Sequence, residues 1–257
     1  MDAYDTITYE VKERVATITL NRPDRLNGIT NPMLREVHHA LSEAARDSET
    51  TVLVLTGAGK GFCPGADLQY YAGAVTEPSQ PEYFQAAALL HDMSKVTITA
   101  VNGACAGAGL TWAAACDLRY AADTATFNSA FLGVAISGDM GGPWTLPRIL
   151  GAARARELYF LPGKFGADEA VRIGLASRVF PEATFRDEVR GIAGRIGASA
   201  PLALRAMKAN FITAEHTTLR DYLAIETEHH QRTGASEDSR EAFRAFVEKR
   251  PARFQGR

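Results

Sequence analysis

Two stretches of the chain run an apolar strand into a small-residue turn and then into a helix start. The first is Val52-Leu53-Val54-Leu55-Thr56-Gly57-Ala58-Gly59-Lys60-Gly61-Phe62-Cys63-Pro64-Gly65-Ala66-Asp67-Leu68, and the second is Ala100-Val101-Asn102-Gly103-Ala104-Cys105-Ala106-Gly107-Ala108-Gly109-Leu110. Turns of this kind present backbone N–H groups that lack helical partners, and such groups attract negative charge. One turn can seat a phosphate or simply pack tightly. Two facing each other can hold the oxygen of a carbonyl as it becomes an oxyanion. Nucleotide chemistry fits worse. A P-loop needs Ser or Thr directly after its lysine, and Gly61 follows Lys60. Gly107-Ala108-Gly109 opens a dinucleotide-like pattern, but Trp112 stands where the third glycine belongs. Read one at a time, these glycines would only make turns. A carboxylate, Asp139, lies in Ile136-Ser137-Gly138-Asp139-Met140-Gly141-Gly142. It could move a proton, or it could close an Asx-turn or cap a helix, as glycines on both sides allow.

The elements that must position these groups follow from periodicity. Ile7, Tyr9 and Val11 alternate with polar residues, and Val15, Ile18 and Leu20 do so after Glu13-Arg14, predicting two antiparallel strands. Asn31 as cap and Pro32 at the first helical position start a helix whose apolar face is Leu34, Val37, Leu41 and Ala44/Ala45, through about residue 47. Buried strands are expected at Thr51 to Leu55 and at Ile98 to Val101, giving an α/β order with crossovers. Ala72 to Pro81 is a connection that could wall or cover an acyl chain or be plain surface loop, before a helix from about Glu82 to Met93. After about Arg195 the pattern is helical: Leu202 to Phe211, Leu219 to Gln231 and Ser236 to Val247, with no clear strand. No segment repeats at a fixed spacing.

The two loops resemble those of the crotonase family, the enoyl-CoA hydratase/isomerase superfamily. Further matches are Leu20-Asn21-Arg22-Pro23-Asp24-Arg25-Leu26-Asn27, Cys116-Asp117-Leu118-Arg119, Gly141-Gly142-Pro143-Trp144-Thr145-Leu146-Pro147-Arg148 and the tail Glu248-Lys249-Arg250-Pro251-Ala252-Arg253-Phe254. They occur in order along almost the whole chain. The resemblance implies an α/β fold that is a crotonase-like spiral of strand-strand-helix units, with the acyl-CoA site in residues 1–195. It also implies a helical oligomerisation region over 196–257 that builds a homotrimer or homohexamer.

On the family pattern the oxyanion donors are the backbone N–H groups of Ala66 and Ala108. Many relatives have Gly at the second place; Ala keeps the N–H if its backbone angles suit a Cβ. Pro64 lacks an N–H but lies two residues before the donor. Enolate stabilisation of this kind explains a thioester substrate, since removing a proton alpha to the carbonyl sends charge to the oxygen. The best-known hydratases place one Glu on the helix after the second loop and another about twenty residues later, whereas Thr111 and Phe131 stand there in this chain. Asp139 lies where a subset of the superfamily, including ring-opening and double-bond-shifting isomerases, carries an Asp facing the acyl group. One carboxylate suffices for a 1,3-proton shift. Hydration, an Asp nucleophile as in superfamily dehalogenases, and an acyl-CoA-binding protein with little turnover are the competing readings. Arg22, Arg25 and Lys60 are candidates for the phosphates and adenine of coenzyme A, with solvated surface charge as the alternative for each. Lys249 and Arg250 of a neighbouring chain are further candidates. Asp67 is expected to cap the following helix and Asp117 to be structural.

Composition sets outer limits. A chain of 257 residues with 46% hydrophobic content can bury a sizeable core. Net charge is -2 without a dense basic run, which argues against a nucleic-acid partner. Cys63, Cys105 and Cys116 lack paired metal-ligand spacing and suggest reduced thiols in a cytoplasmic protein with no bound metal and no cofactor beyond the coenzyme A of the substrate. Met1 to Asp5 has no basic stretch leading into an apolar one, and no run approaches the length of a membrane span. Adjacent His38-His39 and His229-His230 point about 100° apart on a helix and suit a shared metal poorly. His91, Trp112 and Trp144 could approach an acyl pocket or pack ordinarily.

Overall fold

A computed structural model describes residues 4–75 and 77–257. Thr76, in the connection read above as wall or surface loop, and Met1-Asp2-Ala3 lie outside the described residues. Strands β1 (Ile7–Lys12) and β2 (Val15–Leu20) form the expected antiparallel pair. Helix α1 (Asn31–Arg46) follows, then β3 (Val52–Gly57), β4 (Gly61–Cys63) and α2 (Leu68–Ala72). Next come α3 (Ala86–Asp92), β5 (Val96–Val101), β6 (Ala104–Ala106), α4 (Ala108–Ala115), β7 (Leu118–Ala122) and β8 (Thr126–Asn128). The chain continues through α5 (Gly142–Leu150), α6 (Ala152–Phe160), β9 (Phe165–Gly166), α7 (Ala167–Arg172) and β10 (Arg178–Phe180). It ends in α8 (Glu182–Gly197), α9 (Pro201–Ala214), α10 (Leu219–Gly234) and α11 (Glu237–Val247).

The strands build two sheets, β1-β2-β3-β5-β7-β10 and β4-β6-β8-β9. Successive turns of chain place one strand in each sheet: β3 then β4, β5 then β6, β7 then β8, with a helix after each pair. This is a spiral of strand-strand-helix units, as expected. All pairings but β1 with β2 and β8 with β9 are parallel. A parallel sheet covered on both faces needs continuous apolar strands, and Val52-Leu53-Val54-Leu55 is buried at every position. The largest fully buried side chain is Trp112, on a helix α4 that is buried all round.

Two boundaries differ from the expectation. Thr30 rather than Asn31 caps α1, its side chain accepting from the Met33 N–H, because Thr30 is extended while Asn31 already has helical geometry. The helix expected from about Glu82 begins as a 3₁₀ turn, Pro81–Gln85, and becomes α-helical only at Ala86. Pro81 starts that turn and Tyr83 N–H closes it on the Gln80 carbonyl, a tighter winding than the apolar spacing alone suggests. The last three helices follow one another without a strand, and Lys208 of α9 pairs with Asp117 at 2.5 Å against the core. Among the described residues no helix is long and apolar enough to cross a membrane.

Candidate active site

The two glycine-rich loops leave the C-terminal ends of β4 and β6, which are neighbouring parallel strands. Adjacent strands lie about 4.8 Å apart, so loops leaving the same edge of such a pair can aim amides at one point between them. Gly65 (φ +94°) and Gly107 (φ +52°) face each other; a Cβ on either would lie 3.5 Å from the other's Cα. Both adopt left-handed backbone that an L side chain would strain, and their bareness lets the loops close up. Gly109 meets the Cys63 carbonyl so closely that a Cβ there would collide with it.

Ala66 is oriented by its neighbours. Ile29 N–H donates to the Gly65 carbonyl at 2.8 Å and Asp67 N–H donates to the Ile29 carbonyl at 2.9 Å, forming a parallel bridge between Ile29 and Ala66. In such a bridge the flanking residues take the hydrogen bonds, so the N–H of Ala66 is turned to the other side. Asp67 caps α2, accepting from the Gln69 and Tyr70 N–H groups at 3.2 Å each, as expected from sequence. It also pairs with Arg22 at 2.8 Å. Its carboxyl is held below the usual carboxylate range because the Arg22 and backbone hydrogen bonds outweigh the opposing effect of burial. Ala108 is the first residue of α4, where N–H groups have no intrahelical acceptor. It is absent from the residues with positive φ, so its methyl is tolerated. Neither the Ala66 nor the Ala108 N–H donates a hydrogen bond within the described residues.

Ala66, Ala108 and Asp139 line one cavity of about 470 Å³. Its walls are otherwise largely apolar, with Leu34, Phe84, Phe131, Val134 and Ile136 among them. Asp139 is the one carboxylate on its lining, and no Lys, Arg or His appears there among the described residues. The turn that carries Asp139 is strained: Ala130, Ala135 and Met140 take left-handed backbone without being glycine. Asp139 caps nothing. Gly141 is the N-cap of α5 with no side-chain cap bond, and the buried Oδ1 of Asp139 has no hydrogen-bond partner among the described residues. The Asx-turn or cap reading therefore fails. Burial pushes the Asp139 carboxyl up to about 6, close to where an acid or base works best at neutral pH.

Other candidates fall outside the cavity. Thr111 is fully buried and donates to the Ala108 carbonyl at 3.0 Å, while Phe131 is an apolar wall, so neither supplies a proton-transfer group. Arg22 is occupied by Asp67 and the Gly28 carbonyl; Arg25 donates to Gln69 Oε1; the side chain of Lys60 is exposed. His91 contacts Glu215 at 3.1 Å and packs edge-on against Trp144, and neither tryptophan lines the cavity. Ser79 and Phe84 do line it, which favours the wall reading of the connection before α3. All three cysteines are free and buried, and burial pushes the Cys63 thiol up to about 12, so it is no nucleophile. Among the described residues no group of three or more His, Cys, Asp or Glu is arranged to hold a metal ion.

Sequence reasoning missed the clasp beneath the first loop. Asn27 donates to the carbonyls of Ala58 and Gly61, while Asn102 accepts from the Gly57 N–H and donates to the carbonyls of Gly59 and Gly61. It also missed Asn31, which accepts from Tyr71 at 2.8 Å and donates to the Glu77 carbonyl at 2.6 Å on the cavity wall. A buried Asn beside a turn was the available signal.

A profile of the enoyl-CoA hydratase/isomerase family matches residues 10–257. The chain belongs to this family. As a family member it is 37% identical over 258 residues to the "probable enoyl-CoA hydratase" of Rhodobacter capsulatus, covering 99% of this chain and 100% of that one. It is 35% identical to the 1,2-epoxyphenylacetyl-CoA isomerase of Escherichia coli, with 98% of each covered. The crystal structure of an enoyl-CoA hydratase from Bacillus anthracis superposes with a TM-score of 0.90 at 29% identity, covering 98% of this chain and 100% of that chain. The crotonase fold and membership of an enzyme family of enoyl-CoA hydratases and isomerases are thereby established.

Proposed function

We propose that this enzyme shifts a double bond in an acyl-CoA thioester by moving one proton between two carbons. The observation that carries the reading is the cavity itself, which a single half-buried carboxylate shares with Ala66 and Ala108, whose backbone amides are uncommitted among the described residues. The thioester oxygen sits between the Ala66 and Ala108 N–H groups. Ionised Asp139 takes a proton from the carbon alpha to the carbonyl; the released pair forms a new carbon–carbon double bond as the carbonyl π electrons move to oxygen. The enolate so formed is held by the two amides. When the oxygen pair returns, the neighbouring double bond picks up the same proton from Asp139 at the gamma carbon. The acid is regenerated as carboxylate, and atoms and electrons balance.

The apolar wall around Leu34, Phe84 and Ile136 suits the acyl group. Lys60 and Arg25 would meet the phosphates of coenzyme A, with Arg22 bracing Asp67 and the Ala66 loop from behind. Exposed apolar side chains on the last helices, Phe211 at 77%, Phe243 at 70% and Phe246 at 87%, support assembly into a homotrimer or homohexamer. Hydration is the second reading, favoured by the description of the Rhodobacter relative.

Asp139→Asn tests the assignment. Turnover of 3-enoyl-CoA should fall about 10²–10⁴-fold while acyl-CoA affinity stays within a few-fold. Normal turnover by the variant rules Asp139 out as the acid/base. Unchanged binding by a wild-type protein that turns over no enoyl-CoA would leave an acyl-CoA-binding protein.

A further inference from the structure

Beside Asp139 lies a second buried polar group that the proposed reaction does not use. The hydroxyl of Tyr159, on α6, is buried and has no hydrogen-bond partner among the described residues, just as Asp139 Oδ1 has none. An unpaired buried hydroxyl is costly unless something pairs with it in the working state. Both orphans meet at the same turn, Asp139 as part of it and Tyr159 packed against it. A Cβ on Gly138 would lie 3.1 Å from Tyr159 Cε1 and 3.7 Å from its hydroxyl, and a Cβ on Gly142 would collide with that hydroxyl. The phenol thus reaches the backbone on both sides of Asp139 and is admitted only because those two residues are glycine. Its ring is stacked on Phe131 with centroids 5.7 Å apart, which fixes its direction. The same Gly142 Cβ would lie 2.5 Å from Thr111 Cγ2, so the hydroxyl also neighbours the position where two-carboxylate hydratases carry their first Glu.

We propose that Tyr159 is a positioning residue: its hydroxyl donates a hydrogen bond to the ionised Asp139 carboxylate and fixes it toward the point between the Ala66 and Ala108 amides. The inference rests on the reading of Asp139 as acid/base. The groups that face Asp139 are Tyr159 from α6, Tyr71 from α2 and Cys63 from β4, all neutral at ordinary pH because burial raises each of them. Among the described residues no Lys, Arg or His lines the cavity with Asp139. Tyr71 is already committed to Asn31 at 2.8 Å, which leaves Tyr159 as the free phenolic donor among them.

A donor to the ionised form lowers a carboxyl's pKa, so removing it must raise that pKa. The experiment follows the protonated-carboxyl infrared band of Asp139, identified by its loss in Asp139→Asn, across pH 4 to 8. In Tyr159→Phe the midpoint should move up by about one unit, and kcat should fall several-fold with KM little changed. An unmoved or lowered midpoint overturns the proposal, whatever happens to the rate. Should Tyr159→Phe fail to fold, the tyrosine C–O band is followed in a Tyr71→Phe background. It should shift with the Asp139 midpoint and stop shifting once Asn replaces Asp139; independence from Asp139 overturns the proposal. Neither readout requires turnover, so a catalytic misassignment of Asp139 would appear separately, as normal activity in Asp139→Asn.

Discussion

The two sides of the cavity are built by opposite means. On the side of the Ala66 loop the groups are over-determined: Ala66 lies in a bridge to Ile29, Asp67 caps α2 and pairs with Arg22, and two asparagines clasp the loop beneath. On the Asp139 side the carboxylate's buried oxygen has no hydrogen-bond partner among the described residues, and the segment from Ala130 to Met140 that carries it holds three left-handed non-glycine residues. The difference matches the tasks proposed for the two sides. Backbone donors that meet a developing charge must be fixed in advance, because reorganising them during reaction forfeits their advantage. A group that takes a proton from one carbon and returns it to another must instead be poised between two protonation states, and burial without a charged partner does this.

The contrast can be broken from the rigid side first. Gly109→Ala puts a methyl into the Cys63 carbonyl and drives the two loops apart, so kcat/KM should fall by about 10²–10³-fold, as for loss of an oxyanion donor. Steady-state kinetics beside a thermal melt separates that loss from unfolding. If activity survives, the loops do not act as a pair.

On the poised side the effect is a pH dependence. The proposed proton shift needs Asp139 ionised in the free enzyme, so kcat/KM for a 3-enoyl-CoA should fall tenfold per pH unit below about 6 and level off above it. A profile flat down to pH 4.5 would contradict a buried base.

The same burial has a stability consequence. Asp139 binds its proton more tightly folded than unfolded, so folding loses stability as pH rises from about 4, the unfolded value, to about 6, and the loss is complete above that. Asp139→Asn should therefore be roughly 1–3 kcal/mol more stable than wild type at pH 8 and no more stable below pH 4. Urea titrations at the two pH values measure it.

The smallest effect belongs to the brace. Asp67→Ala removes two cap hydrogen bonds and the Arg22 pair, at a cost of about 0.5–2 kcal/mol. The loss should shrink as pH falls through the lowered carboxyl pKa, which urea titration also reads.

Much of this was legible in the sequence because it rests on backbone. Glycines at 65, 107 and 109 and the apolar run Val52-Leu53-Val54-Leu55 announce close-packed loops on buried strands, and Ala66 and Ala108, the two residues picked out from the family pattern, line one cavity. What stayed hidden depends on side chains that meet across long separations. Tyr159 reads as one more residue of α6, and only the packed structure brings it against Gly138 and Gly142. The engagement of Arg22 with Asp67 was equally invisible, since an arginine near a phosphate motif and one in an internal ion pair look alike in sequence. Asn31 and Thr30 both suit a cap, and the backbone angles decide between them.

The most direct test of a one-carboxylate proton shift is to incubate the enzyme with a 3-enoyl-CoA in deuterated water and analyse the products by mass and chromatography. The account predicts a 2-enoyl-CoA isomer, deuterated to the extent that Asp139 exchanges its proton with solvent before returning it, and no such product from Asp139→Asn. A 3-hydroxyacyl-CoA formed from 2-enoyl-CoA without any double-bond movement would contradict it and make water, rather than carbon, the partner of Asp139.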